Sequence, residues 1–250
     1  MNGWSARLAR VGLAGAGATL ALLVVVALPA QVACIIPPTA PALRHTGRLA
    51  SRGAPGLVRA GATTDFDSTA GPDIGWRYRL DERIELDLSG YAMFMVQDEQ
   101  PSLAALGRVG IGVGLVERER GALALLVGLG AGGLRSSYDD ETPEGEPEHH
   151  EVSQGLVGGD VGLAGSLRFL GWLEPYLGAR VSVVAAIDED DSATVFWLMP
   201  AVGVRFLAHE WVAVSIEWTN GIFFYAESDP DIDWLTGASL GVEVGRNGSE

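Results

Sequence analysis

The chain has 250 residues, with 32 acidic against 17 basic side chains, a net charge of −15, and every basic residue is Arg. That balance excludes a sequence-independent nucleic-acid binder, which needs a cationic face. A hydrophobic content of 48% with 34 glycines excludes a solvated disordered chain, and the single Cys, Cys34, excludes an internal disulfide framework or a multi-Cys zinc site.

Residues 1–10 hold two Arg and no acid, and residues 11–36 hold no charge at all. A short positive region followed by an apolar run predicts a secretory signal, spanning residues 1–42 if cleavage follows the small-x-small sequence Ala40-Pro41-Ala42. Two alternatives stay open: an uncleaved membrane helix, and lipidation at Cys34. Lipidation sites usually carry Leu three residues before the Cys, where this chain has Gln31. Residues 43–55, with Arg44, Arg48 and Arg52 and no acid, read as a periplasmic linker.

From residue 56 to 247 the hydrophobic period is two, with turn residues between the segments. Ten strands are predicted, near 57–65, 73–80, 83–96, 104–117, 121–136, 155–170, 173–187, 193–206, 210–225 and 234–246. Most exceed the five or six residues usual in soluble sheets and suit a tilted membrane crossing. A soluble sandwich or lipocalin would also alternate, so the charges decide. By parity Arg59, Arg77, Arg79, Arg83, Arg108, Arg168, Arg180 and Arg205 share the non-apolar side with Glu85, Asp87, Asp160, Glu174, Glu217 and Glu243. No Arg falls in the middle of an apolar face, where lipid would make it costly.

The connections alternate in kind. Those at 80–83, 116–121, 170–173 and 207–210 are tight, whereas those at 65–73, 97–103, 137–154, 188–192 and 226–233 hold 20 of the 32 acids and no Arg. Short turns face the periplasm in bacterial outer-membrane barrels, so the acidic loops point outward and both termini fall in the periplasm. Aromatic residues cluster at both predicted ends. Tyr78, Phe169, Trp172, Phe206 and Trp211 lie at the tight-turn end, and Phe94, Phe196, Phe223, Phe224, Tyr225 and Trp234 at the acidic end. Pro200, inside the eighth strand, predicts a bulge, because a closed barrel has no free edge to accommodate a missing N–H.

The segment GWRYRLDERIELDLSGY, residues 75–91, has an aromatic strand end, a tight charged turn and an alternating strand. In this the chain resembles small Gram-negative outer-membrane β-barrels of the porin-like superfamily, of the OmpA type, over roughly residues 56–247. The resemblance implies an all-β, transmembrane, antiparallel up-and-down barrel of ten strands, or eight if the first two segments stay outside it. It also implies assembly by the barrel-assembly machinery and a setting of outer-membrane lipid and lipopolysaccharide. Such barrels commonly end on an aromatic residue, whereas this chain ends Gly-Arg-Asn-Gly-Ser-Glu.

Fourteen inward charges are the main candidate site. In a narrow lumen they pair across strands and plug the interior; in a pore they would set ion selectivity. Tyr91, Met93, Met95, Trp197 and Met199 also face inward, toward the outer end. The longest acidic loop carries Asp139, Asp140, Glu141, Glu144, Glu146, Glu148, His149, His150 and Glu151. It reads as a solvated surface loop, with weak binding of divalent cations as the alternative. No predicted strand contains a His, and no Gly-x-Ser-x-Gly elbow occurs, so hydrolase chemistry is not expected. The expected protein is a non-enzymatic, cofactor-free barrel with a charge-paired lumen, and the alternative is a narrow porin.

Overall fold

The computed structural model describes residues 47–50, 56–65, 69–97, 100–141, 147–187, 192–225 and 232–245. Residues 1–46, with the signal segment and Cys34, lie outside the described residues, as do Glu144 and Glu146. Ten strands follow in chain order: β1 (Leu57–Asp65), β2 (Thr69–Arg79), β3 (Ile84–Gln97), β4 (Gln100–Glu117), β5 (Gly121–Glu141), β6 (Pro147–Leu167), β7 (Leu173–Ile187), β8 (Ser192–His209), β9 (Val212–Tyr225) and β10 (Ile232–Val244). Each pairs antiparallel with the next, and β10 returns to β1 from Val58↔Val244 to Asp65↔Gly237, closing the barrel. β1 is therefore an integral stave, bonded to β2 on its other side, and the eight-strand alternative is excluded.

Alternation puts the two side-chain sets in opposite environments. Ile74, Leu129, Leu177, Val202 and Leu240 are each more than half exposed on the outside, while Arg77, Glu85, Glu174 and Glu217 are buried at 0–2%. This is a soluble protein turned inside out. Only hydrocarbon around the barrel makes such a distribution favourable, since the outward residues gain nothing from water and the inward charges are shielded by the wall. Exposed aromatics mark both rims of the apolar band: Tyr78, Phe169, Trp172, Phe206 and Trp211 at the tight-turn end, Phe94, Phe224 and Trp234 at the acidic end. Phe223 departs from its predicted place in the outer belt. It is 9% exposed and packs on the inward Trp197, with ring centroids 4.9 Å apart.

Several strand limits differ from the hydrophobic pattern. At the tight-turn end β6 stops at Leu167, β8 runs on to His209 and β9 starts at Val212, and the larger changes are at the acidic end. β2 begins at Thr69, β4 at Gln100, and β5 and β6 run on to pair Ser137↔Glu151 through Glu141↔Pro147. The segment read as a solvated loop is thus largely the tip of a long hairpin, with Asp139↔His149 and Asp140↔Glu148 as backbone partners. Strand pairing needs only facing N–H and C=O groups, so it continues after the apolar alternation has stopped. Twenty-one residues at about 3.3 Å each reach roughly 70 Å, far more than a tilted strand needs to cross the band.

Pro200 does not make a bulge. The β8–β9 ladder runs Leu198↔Ile222 and resumes at Ala201↔Thr219 in the same register, so the strand skips two pairs without gaining a residue. Pro200 keeps its partner Ala179 on β7, and only the β9 side loses bonds. The register shifts lie instead at Gly114/Val116 and Leu207/His209, beside tight turns.

The wall predicts its own sensitivity. Replacing the outward Leu129 by Arg should destabilise the refolded protein in lipid by about 2–4 kcal/mol, the usual cost of a charge on the lipid face near mid-membrane. Denaturant unfolding of vesicle-inserted protein reads this directly.

Candidate functional site in the barrel lumen

The interior is built in three layers from the tight-turn end outward. The first centres on Glu174, which is completely buried. Its Oε1 accepts from Arg48 Nε at 3.0 Å and from Ser166 Oγ at 2.8 Å, and its Oε2 accepts from Arg205 Nη1 at 3.0 Å. Arg205 also pairs with Glu243, Arg77 lies 3.4 Å from Glu85 and 3.9 Å from Glu243, and Arg168 reaches to 3.7 Å of Glu174 from the adjoining turn. Glu217, 1% exposed, accepts from Thr219 Oγ1.

Residues 47–50 complete this layer. The sequence assigns them to a periplasmic linker, but they lie inside the barrel mouth, with Arg48, Leu49 and Ala50 each no more than 5% exposed. Ala50 N donates to Glu85 Oε2 at 2.8 Å, and Arg77 Nη1 donates to the Arg48 carbonyl at 3.1 Å. The Arg48 guanidinium also reaches the carbonyls of Arg118 and Glu119. Leu49 fits against Gly114, where an added Cβ would come within 3.1 Å of it. No pattern in the sequence signals this insertion. Parity puts more Arg than acid inside, which argues against room for another cation.

The second layer is a chain of alternating charge. Arg59 lies 3.8 Å from Asp87, Asp87 lies 3.5 Å from Arg108, and Arg108 grips Asp160 through two bonds of 2.7 and 2.9 Å. Arg180 ends the chain, 3.5 Å from Asp160. These side chains fit because glycines face them. A Cβ at Gly128 or Gly110 would run into the Arg108 guanidinium, and one at Gly75 into that of Arg59. Gly75, Gly110 and Gly128 are therefore space for arginine.

The third layer, toward the acidic end, is apolar. Ala104, Leu134, Leu156 and Ala186 form one cluster and Val195, Trp197, Met199 and Phe223 another, with Val184 packed against both. Met93 is 2% exposed. Near the rim the Ser102 and Ser136 hydroxyls share a 2.6 Å hydrogen bond.

Three of the fourteen expected lumen charges sit elsewhere or at the edge. Arg83 is exposed in the β2–β3 turn, because the turn takes residues 80–83 and the strand starts only at Ile84. Arg79 is at the rim, bonded to the carbonyls of Asp81 and Glu82 and to Glu117 at 2.8 Å. Arg168 occupies the turn after β6. Of the acidic hairpin, Glu151 is exposed and pairs with Arg135 at 2.8 Å. Asp139, Asp140 and Glu141 lie at the end of β5, and Glu148, His149 and His150 at the start of β6. Among the described residues no group of three or more His, Cys, Asp or Glu is placed to hold a metal ion.

No protein-family model matches the sequence, and no curated protein matches it. Solved structures of similar fold include the outer membrane protease OmpT from Escherichia coli, at 11% identity over 76% of this chain and 94% of that one, with a TM-score of 0.37. Others are LpxR from Salmonella typhimurium, at 9% identity over 75% and 99% with a TM-score of 0.44, and an outer membrane channel from Pseudomonas putida F1, at 11% over 80% and 97% with a TM-score of 0.41. At these identities and TM-scores the likeness says nothing of activity. The inverted wall, apolar to lipid and charged within, decides the class. The chain is a small outer-membrane β-barrel. Its interior is a packed core of mixed chemistry, as narrow barrels of this size require.

Removing a hub of this core should be severe. Glu174→Ala leaves Arg48 and Arg205 buried without their shared carboxylate and should cost about 3–5 kcal/mol in denaturant unfolding. Arg135→Ala, which breaks a pair 71% and 60% exposed, should change stability by no more than about 1 kcal/mol in the same assay.

Proposed function

We propose that this barrel is a closed, non-enzymatic component of the outer membrane that acts through its acidic end. The observation that supports this reading is the filling of the lumen at three successive levels: the inserted segment 47–50, the Arg59-to-Arg180 charge chain, and the Trp197 layer. Each level obstructs ion passage independently of the others. In the orientation usual for such barrels the tight turns and both ends of the sheet face the periplasm, and the acidic loops and long β5–β6 hairpin project outward. A negatively charged hairpin tip suits bridging to lipopolysaccharide phosphates through divalent cations, or contact with a cationic partner.

A second reading, a narrow porin, draws on one observation. Segment 47–50 is not a strand, and the contacts that hold it in the mouth are hydrogen bonds and packing rather than a ladder. A porin gated by that segment would open when it is withdrawn.

Planar-bilayer recording separates the two. The closed-barrel reading expects no steady conductance from the intact mature protein, and none from a variant lacking residues 43–55, because the two upper layers remain. Reproducible steps in the intact protein, or their appearance only in the shortened variant, would favour the porin. In that case Arg108→Gln and Arg180→Gln should shift ion preference toward cations.

A further inference from the structure

Between the charge chain and the apolar layer the lumen leaves a cavity of about 50 Å³, lined among others by Tyr91, Arg108, Asp160, Arg180, Ser182 and Trp197. Its two guanidinium groups are not equivalent. Arg108 spends Nε and Nη2 on both oxygens of Asp160 and points Nη1 toward Asp87. Arg180 is 5% exposed, its Nε lies 3.5 Å from Asp160 Oδ1, and that Nε has no hydrogen-bond partner among the described residues. Asp160, already gripped by Arg108, is thus shared between two cations. Around the cavity itself two guanidinium groups face one carboxylate, and a buried donor left without an acceptor costs about 1–3 kcal/mol.

We propose that this cavity is a binding site for a small monovalent anion, of chloride to acetate size. The charge excess selects an anion over a cation. The volume sets the size: a water needs about 10–15 Å³ on this measure, so the cavity takes an anion of a few heavy atoms and excludes a sugar acid or lipid headgroup. The chemistry of the lining also fits, with Arg180 and the hydroxyls of Ser182 and Tyr91 available as donors. Leu106, Val184 and Trp197, also in the lining, accommodate a methyl group or a weakly hydrated halide. Binding removes an uncompensated charge from the middle of the barrel and does not depend on whether the barrel conducts.

Chloride NMR linewidths on the refolded protein in detergent test this. The expected result is a saturable excess broadening that acetate and nitrate displace. Arg180→Met should weaken it about tenfold, the effect of losing one charge-assisted contact. Ser182→Val should do the same by filling the cavity while every charge stays in place, and the surface variant Arg135→Met should leave the broadening unchanged. Heat-shifted gel mobility checks that each variant is folded, and if Arg180→Met is not, Ser182→Val decides. Absence of saturable broadening in the unaltered protein, or its persistence in a folded Ser182→Val variant, would overturn the assignment.

Discussion

A peptide N–H or C=O facing hydrocarbon without a partner costs several kcal/mol, and a sheet with free edges leaves a row of them. Closing ten strands on themselves, with β10 bonded to β1, removes both edges at once. Everything else in this molecule follows from that closure. Once the wall is sealed, the two-residue period of each strand divides its side chains between lipid and lumen with no intermediate choice. Leucine, valine and isoleucine take the outside, and whatever the chain carries in alternate positions must be packed into a narrow cylinder.

Packing charge there is demanding because the apolar wall keeps water away. Buried ion pairs contribute little net stability compared with apolar side chains of similar size, but breaking one leaves a charge stranded. The lumen meets this by sharing. Glu174 serves Arg48, Arg205 and Arg168, and Asp160 serves Arg108 and Arg180. The partners are far apart in sequence, 126 residues for Arg48–Glu174 and 52 for Arg108–Asp160, so the first pair holds the inserted segment in the mouth and the second ties β4 to β6 across the intervening β5. A slip of one residue in any strand would turn its charges to lipid and its aliphatic residues inward. The charges therefore select the register more than they strengthen it, and the facing glycines make the selection possible by leaving room for arginine.

The same closure gives the molecule two unlike ends. The tight-turn end holds an inserted stretch of the chain's own backbone, while the acidic end holds the side chains of the Trp197 layer and carries the long β5–β6 hairpin beyond the band. Between them Arg180 keeps a buried Nε without a hydrogen-bond partner among the described residues. That is where polar and apolar layers meet, and where a small ligand would find both kinds of contact.

While the pairing of β1 with β10 decided between ten staves and eight, the sequence by itself determined the alternating barrel class and the side of the wall on which most of the strand charges lie. These depend on local alternation and on the run of turn residues, and both are read along the chain without knowing what stands opposite. Eleven of the inward charges, from Arg59 to Glu243, are placed by parity alone. What only the tertiary structure decided are the distances across the barrel: that Asp160 belongs to Arg108 more than to Arg180, that Glu174 is the hub, and that Arg48 enters the mouth to reach it. Arg83 shows the limit of parity, because a residue taken into the turn no longer belongs to either face, whereas Phe223 keeps the parity of Glu217 and points inward despite its place at the rim. The acidic hairpin shows another limit. Backbone pairing between β5 and β6 continues through Asp139 and His149, where hydrophobicity no longer alternates, because a ladder is held by amides and carbonyls that every residue carries. Periodicity reports the medium a side chain meets, and only the closed wall sets which side chains meet each other.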